Sequence, residues 1–352
     1  MPFGTLSTLD TLASSQQTIA QYGEDRAFDA IEAARNAHNM ILDSLLSDFI
    51  ERTTDRQRRY GGAATMKMER VDEFGRVDAQ KASAGVTLGF PLELFQESIQ
   101  WTRKFMQNAT TVELAAQFTA AQDGHIERLT NEIQRALFRP TNYVFTDHLI
   151  DNVDLNVKAL LNADGAAIPT GQNAVSFNPA THTHYLARAG TALAATDISA
   201  AIETVLEHHG MGAVQIYINR AQEAAVRAMP NFTGYVDARI VTGSGVTRAE
   251  GNLDPNNINN RAIGIFDAAE VTVKSWIPAG YMFAFVKGAP KPLVMRERAP
   301  GLGGLQLVAD DEAYPLRART LESEFGVAVY TRTNGAVLLT TANTYAMPTI
   351  AQ

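Results

Sequence analysis

The stretch TTVELAAQFTAAQDGHIERLTNEIQRALF, residues 110–138, predicts one unusually long helix. Thr110 and Glu113 have the spacing of a capping box, in which the threonine oxygen accepts an amide hydrogen of the first turn and the glutamate reaches back to the cap. Pro140 makes continuation beyond the end unfavourable. Small or apolar side chains recur on one predicted face at Ala115, Phe118, Ile126, Leu129, Ile133 and Leu137. At about 1.5 Å per residue such a helix is about 40 Å long, so a long body must lie along it.

Length and composition exclude several classes of protein. The chain has 352 residues, which favours two domains or one domain with large excursions. It is 45% hydrophobic and 19% charged, so it has ample material for a core and further surface to bury against other chains. Its net charge of −8 argues against a tight, whole-surface nucleic-acid binder, which would be basic. The absence of cysteine excludes disulfides, zinc–thiolate sites and cysteine nucleophiles.

The sequence predicts neither a membrane partner nor a signal peptide. No apolar run approaches the length of a membrane span. The first residues lack the basic start and the apolar core of a secretory signal. A reducing cytosol is therefore compatible with the chain.

The first ninety residues predict elements that cannot form a core alone. Residues 1–24 are polar and are expected to be an arm that is disordered or lies on another surface. Residues 25–52 predict a helix with Ile31, Ala34, His38, Ile41, Leu45 and Phe49 on one face. Residues 64–84 predict two polar strands around a turn near 73–76. A lone polar hairpin is marginal in water, so it indicates a partner chain that supplies the missing surface.

The later segments alternate between helices and strands. Pro91 is expected to open a helix that reaches about Gln107, and Asn334-Gly335 is expected to be a hairpin turn. Residues 242–260 predict a polar loop. Further helices are expected at 197–208 and 219–229, and strands at 86–90, 157–161, 213–218, 263–266, 270–276, 281–286, 305–309, 326–330 and 336–341. This order predicts an α+β unit over about 197–300 that interrupts a second unit containing the long helix.

The histidines are the most prominent candidates for chemistry. His182 and His184 would face the same side of a strand and could both bind a metal, but no carboxylate lies close by in sequence. His208 and His209 end a helix, where they favour a dipole interaction with side chains that point apart. His38 and His125, on the two long helices, are expected to be packing or surface residues.

The other polar clusters match no catalytic motif. Gly243-Ser244-Gly245 and the glycines near Gly301 lack the residues that complete a phosphate-binding loop or a nucleophile elbow. Asp310-Asp311-Glu312 is expected to be a solvated turn. Two groups of arginines could contact phosphate or the carboxylates of a neighbouring subunit, but the nearby acidic residues favour salt bridges. They are Arg56, Arg58, Arg59, Arg296, Arg298, Arg317 and Arg319. No catalytic, cofactor or metal residue is therefore assigned, and a structural role is favoured over an enzymatic one.

The order of these parts, together with three loosely matching stretches, carries a resemblance to a known family. The stretches are VKALLNADG at 157–165, EVTVKSWIPAGYMFAF at 270–285 and FGVAVYTRTNGAVLLTTANTYA at 325–346. The chain resembles tailed-bacteriophage major capsid proteins of the Hong Kong 97-type fold. The resemblance implies an N-terminal arm at 1–24, the N-terminal helix of a peripheral domain at 25–55, an extended β-hairpin loop at 56–90, the rest of the peripheral domain at 91–196 with its spine helix at 110–138, an axial domain at 197–304, and returning peripheral strands at 305–352.

The resemblance also implies a function. It implies a structural protein whose pentamers and hexamers form an icosahedral shell around the double-stranded DNA of a tailed phage, assembled in the host cytoplasm and located in the virion. Scaffold, portal or decoration proteins would be further partners, and packaged DNA would touch the inner face weakly. Some relatives crosslink a loop lysine to an asparagine of a neighbour; Lys67 and Lys81 lie in that region, but no signature selects either. Some carry a scaffolding segment removed on maturation; the folded pattern here starts near residue 25, so the chain lacks that segment or is in mature form.

Two alternatives stay open. The first is an encapsulin-like nanocompartment shell of the same fold, which holds an enzyme cargo instead of DNA. The second is a soluble metal-dependent enzyme with a site at His182 and His184.

Overall fold

The computed structural model of the protein describes residues 9, 12–61, 68–78, 85–172, 175–190, 192–210, 212–235 and 260–350. The described α-helices are α1 (Ile19–Tyr22), α2 (Glu24–Leu46), α3 (Arg103–Asn108), α4 (Thr111–Phe138), α5 (Ala195–His209) and α6 (Glu223–Arg227), and a short 3₁₀ helix spans Arg220–Gln222. The described strands are β1 (Ile50–Thr53), β2 (Gln57–Tyr60), β3 (Val86–Gly89), β4 (Glu93–Thr102), β5 (Tyr143–Thr146), β6 (Asp154–Val157), β7 (Tyr185–Ala187), β8 (Ala213–Ile218), β9 (Phe232–Gly234), β10 (Asn260–Phe266), β11 (Ala269–Lys274), β12 (Tyr281–Lys287), β13 (Leu293–Glu297), β14 (Gln306–Ala313), β15 (Leu316–Val329) and β16 (Ala336–Leu339).

Two large sheets organise the described part of the chain. The seven-stranded sheet has the order β7-β16-β12-β8-β11-β10-β9. The five-stranded sheet has the order β1-β13-β15-β14, and β4 also pairs with β15. Shorter ladders join β2 to β3 and β5 to β6. With the long helix α4 added, this is the α+β class that the sequence predicts. None of the helices described is both long and apolar enough to cross a membrane.

Helix α4 is the predicted long helix, and its capping box is confirmed. The Thr110 amide donates to Glu113 Oε2 at 2.7 Å, and the Glu113 amide donates to Thr110 Oγ1 at 3.3 Å. The prediction that Ile126 lies on the buried face is wrong, because this residue is 41% exposed. Ile126 follows Phe118 by eight residues, which places its side chain about 80° around the helix from that of Phe118. Steps of three and four residues from Phe118 lead instead to Ala121 and His125, which lie on the buried face.

The two halves of α4 pack in different cores. The N-terminal half packs with α2 and β4, where Trp101 stacks on Phe118 with ring centroids 5.8 Å apart. The C-terminal half packs in a core to which both large sheets contribute, with Phe283 from one sheet and Phe325 from the other. The α4 residues in this second core are Leu129, Ile133, Leu137 and Phe138. The long helix therefore connects the two sheets, as its length requires.

Residues 1–24 were predicted to be an arm that is disordered or lies on another surface, but the described residues from Leu12 to Gly23 pack on the body of the same chain. Leu12 and Ile19 are fully buried on the chain's own body. The Ile19 amide donates to the Ala109 carbonyl at 2.9 Å, and the Thr111 amide donates to the Gln17 carbonyl at 3.0 Å. These apolar side chains complete the cluster around the start of α4, which is why the segment docks there.

Helix α2 ends earlier than expected. It ends at Leu46, and residues from Ile50 onward form β1, which pairs in parallel with β13. Ile41, predicted on the buried face, is exposed, and Leu42 is buried instead. The end of α2 is determined by the pairing of β1 with the distant strand β13, and the helical spacing of apolar residues contains no information about that pairing.

The helix expected from Pro91 to Gln107 is mostly a strand. Strand β4 pairs antiparallel with β15 along its whole length, and only α3 at its end is helical. Phe95, Ile99 and Trp101 lie two or four residues apart, a spacing that also fits one face of a strand. The fourteen-residue strand β15 supplies the partner that selects this alternative.

The hairpin expected at Asn334-Gly335 is wrong, because β15 and β16 belong to different sheets. The chain crosses between the sheets here, and the Asn334 side chain is fully buried at the crossing. Its amide nitrogen donates to the carbonyls of Val286 and Pro290, and its oxygen accepts from the Val286 amide.

Sheet membership also departs from the expected unit boundaries. Strands β7 and β16 lie outside 197–304, yet they belong to the seven-stranded sheet. Strand β13 lies inside that range and belongs to the five-stranded sheet. Returning strands therefore contribute to both sheets.

Smaller differences concern element ends. The strand expected at 157–161 is observed at Asp154–Val157, because Leu160 and Leu161 are buried outside the ladder. The helix expected at 219–229 is divided between the 3₁₀ helix and α6. Of the polar loop predicted at 242–260, all but the last residue lies outside the described residues.

We expect Ile133→Asp to prevent folding, because it places a carboxylate in the core where α4 meets both sheets. Burying an unpaired carboxylate costs a large part of the roughly 5–15 kcal/mol that stabilises a domain. Circular dichroism and thermal melting of the soluble protein measure the effect. Ile126→Asp on the exposed face is the matched control and should melt like the unaltered chain. A normal melting curve for Ile133→Asp would show that the buried face is misassigned.

Candidate functional site

The extended loop leaves the body through the ladder of β2 and β3. Its register pairs Gln57 with Gly89 and Tyr60 with Val86. The described ladder is therefore formed by the residues on either side of 64–84, the segment where strands were expected. Residues 62–67 and 79–84, with Lys67 and Lys81, lie outside the described residues.

The described outer part of the loop, residues 68–78, carries apolar side chains in solvent. The predicted turn is present, and the Gly75 amide donates to the Asp72 carbonyl at 3.1 Å. Met68 is fully exposed and Phe74 is 93% exposed. These residues form no strand, and within the described chain nothing covers the two side chains. A surface of this kind is suited to association with another molecule.

A buried carboxylate ties the two ends of the loop together. Asp147 is fully buried, and its Oδ2 lies 3.0 Å from Arg296 Nη2 and 3.1 Å from Arg56 Nε. Arg56 precedes β2 on the way into the loop. Arg296 Nη1 also donates to the carbonyl of Phe90, which follows β3 on the way out, at 2.8 Å. Asp151 makes a further, exposed pair with Arg56.

Most of the arginines expected in salt bridges form them. Arg317 and Arg319 both pair with Asp310, and hydrogen bonds from Arg317 lower the pKa of that carboxyl to about 2. Asp310-Asp311-Glu312 is exposed, as expected, but it lies in strand β14 and not in a turn. The other pairs of these arginines are Arg56–Asp147, Arg56–Asp151, Arg58–Glu51, Arg58–Asp55, Arg296–Asp147, Arg298–Glu324 and Arg317–Glu24. The residues near Gly301 form a turn, and Gly243-Ser244-Gly245 lies outside the described residues.

His38 and His125, which were expected to be packing or surface residues, are packing residues. Both are buried, and their Nε2 and Nδ1 atoms lie 3.1 Å apart. Burial lowers the pKa of His125 to about 4, so its ring is neutral near neutral pH. The pair connects α2 to α4.

A second histidine cluster brings together residues that are distant in sequence. His182 and His184 face the same side, as predicted, and the end of α5 adds Glu207 and His208. The ligand atoms of all four lie within 4.8 Å of one another. The sequence interpretation missed Glu207 and assigned His208 to the helix dipole. The next residue, His209, is not part of the cluster, and its Nε2 lies 3.0 Å from Thr333 Oγ1.

The fold is shared with a solved structure. No protein-family model matches the sequence, and no curated protein matches it. A structure described as Mycobacterium phage Patience matches with 20% identity and a TM-score of 0.68, covering 97% of this chain and 90% of that chain. The chain has the Hong Kong 97-type fold.

Two further solved structures are similar to this chain with lower scores. One is the Cyanophage A-1(L) capsid asymmetric unit, with 13% identity and a TM-score of 0.49, covering 83% of this chain and 90% of that chain. Another is the holo-SrpI encapsulin complex from Synechococcus elongatus, with 10% identity and a TM-score of 0.43, covering 84% and 86%. The match with the Mycobacterium phage Patience structure confirms the fold that the sequence resemblance implies.

We expect Asp147→Asn to destabilise the protein by about 3–5 kcal/mol, because it leaves the buried Arg296 guanidinium without its counter-charge. Urea unfolding of the soluble chain measures this loss. Asp151→Asn is the matched control, since it removes an exposed carboxylate from the same arginine group and should change the midpoint little. Equal midpoints for the two variants would contradict a structural role for the buried pair.

Proposed function

We propose that the chain is a structural major capsid protein that self-assembles into an icosahedral shell around the double-stranded DNA genome of a tailed phage. The observation that carries the proposal is the extended loop on a Hong Kong 97-type fold. Phe74 and Met68 stand in solvent at its outer part, while its base is held by a buried ion pair. A rigid base with an uncovered apolar end suits contact with a second copy of the chain.

The loop also carries charges of both signs for that contact. Glu69, Arg70, Asp72, Glu73 and Arg76 are all exposed. Repeated between copies, such ionic and apolar contacts are individually weak and collectively sufficient to close a shell. In this proposal residues 56–90 lie over a neighbouring subunit, and the subunits are grouped as pentamers and hexamers.

The two sheets correspond to the two domains of the proposal. The five-stranded sheet with α2 and α4 is the peripheral domain. The seven-stranded sheet, centred on 197–304 and including β7 and β16, is the axial domain that gathers around the symmetry axes. The protein is then a component of the virion with no catalytic role of its own.

The charge distribution suits a container for DNA. The net charge of −8 keeps the subunit from clamping the nucleic acid. Several arginines that could contact phosphate are paired within the chain, including Arg58, Arg296 and Arg317. Contacts with packaged DNA on the inner face are therefore weak in this proposal.

Electron microscopy of the purified full chain tests the proposal, and regular closed particles are expected. Nucleic acid inside them would support the capsid, whereas an enzyme cargo would support the nanocompartment alternative. A homogeneous monomer under assembly conditions would contradict both.

Deletion of residues 66–80 should leave a soluble, folded subunit that assembles poorly. The described residues 68–78 are exposed except for the half-buried Val77, so the fold of the body does not depend on them. Light scattering and electron microscopy measure assembly, and the melting curve of the unassembled subunit controls for folding. Phe74→Ala, which keeps the loop length, should weaken assembly in the same direction. Deletion particles of normal stability would argue against the loop as the contact.

A further inference from the structure

Three imidazoles and one carboxylate converge where the segment before β7 meets the end of α5. His182 Nε2 lies 3.2 Å from His184 Nε2, 3.0 Å from His208 Nε2 and 3.2 Å from Glu207 Oε1. Glu207 Oε1 lies 3.8 Å from His184 Nε2 and 3.7 Å from His208 Nε2. We infer that these four side chains form a binding site for a divalent transition-metal ion, with Zn²⁺ as the ion that suits them best.

The spacing of the ligand atoms fits tetrahedral coordination. Zinc binds imidazole nitrogen and carboxylate oxygen at about 2.0–2.2 Å, so two ligand atoms on a tetrahedron lie about 3.4 Å apart. Five of the six ligand pairs here are separated by 3.0–3.8 Å, which brackets that value. A zinc ion enters such a cluster with side-chain shifts of a few tenths of an ångström.

The available protons cannot satisfy the cluster by hydrogen bonding alone. His184 Nδ1 lies 2.7 Å from the Gly335 carbonyl, which can only accept, so this nitrogen carries the proton and Nε2 presents a lone pair. His182 Nε2 has at most one N–H, yet it lies within 3.2 Å of three atoms. A cation satisfies all of these lone pairs together, and the carbonyl orients the His184 ring as an outer partner does in metal sites.

The surroundings enclose most of the cluster. The His184 side chain is fully buried and the His208 side chain is only 2% exposed. The Phe177 ring packs against His182 and His208, with centroid distances of 4.6 and 4.2 Å. Glu207 is partly exposed, so an ion can enter from solvent and meets one compensating negative charge.

Four protein ligands fill a tetrahedron, which is typical of a structural site and leaves no position for a substrate. The ion would join the chain entering β7, at the edge of the seven-stranded sheet, to the end of α5. In a chain without cysteine, it would supply a cross-link that a disulfide cannot. This inference is independent of the proposed function.

The test uses the full chain without a histidine tag. The chain is stripped with EDTA, incubated with Zn²⁺ and desalted. We expect one Zn²⁺ per chain to remain after desalting, measured by mass spectrometry of the metal, and a rise in melting temperature that EDTA reverses. Co²⁺ in place of Zn²⁺ should give the visible absorption of tetrahedral coordination. An unaltered chain that retains no stoichiometric Zn²⁺ would overturn the inference.

Substitutions locate the ion. Glu207→Gln, at a partly exposed position, and His182→Gln should each weaken Zn²⁺ binding by at least about tenfold and abolish the rise in melting temperature. His148→Gln is the control, since this histidine is exposed and lies outside the cluster. Binding by the two cluster variants that equals binding by the control would also overturn the assignment. If His182→Gln fails to fold, Glu207→Gln decides the question.

Discussion

The apolar face on the second half of α4 is the constraint on which the rest of the structure depends. Leu129, Ile133 and Leu137 contribute to a core that also contains Phe283 of the seven-stranded sheet and Phe325 of the five-stranded sheet. Each such side chain contributes about 1.5–3 kcal/mol when it is fully buried. The two sheets share this core, so the orientation of one relative to the other follows from the packing around a single helix.

The sequence predicts α4 well because the relevant information is local. The capping box at Thr110 and the spacing of the apolar residues both lie within the helix. The segment after Pro91 is predicted wrongly because its partner β15 is more than two hundred residues away. Asn334 resembles a turn residue in sequence, whereas contacts with Val286 and Pro290 determine its role. Errors therefore occur where distant chain segments decide between two acceptable local patterns.

The same distinction explains how much of the candidate sites could be predicted. Alternation places His182 and His184 on one side, but Glu207 and His208 come from another element, and only the tertiary structure brings them together. Salt bridges for the arginines follow from the nearby acidic residues, whereas the buried partner Asp147 has no local signal. The outer loop was expected to be polar on both faces, although Met68 and Phe74 give it apolar contact surface.

The ion pair at the base of the loop has a mechanical consequence. Because Asp147 binds Arg56 directly and holds Phe90 through Arg296, the incoming and outgoing strands of the loop share one anchor. The two ends of the loop, at Arg56 and Phe90, are therefore attached to the same residue pair, Asp147 and Arg296. Arg296 lies in β13, an inner strand of the five-stranded sheet with a paired neighbour on each side, so the loop is anchored to an interior part of the fold and not to a sheet edge.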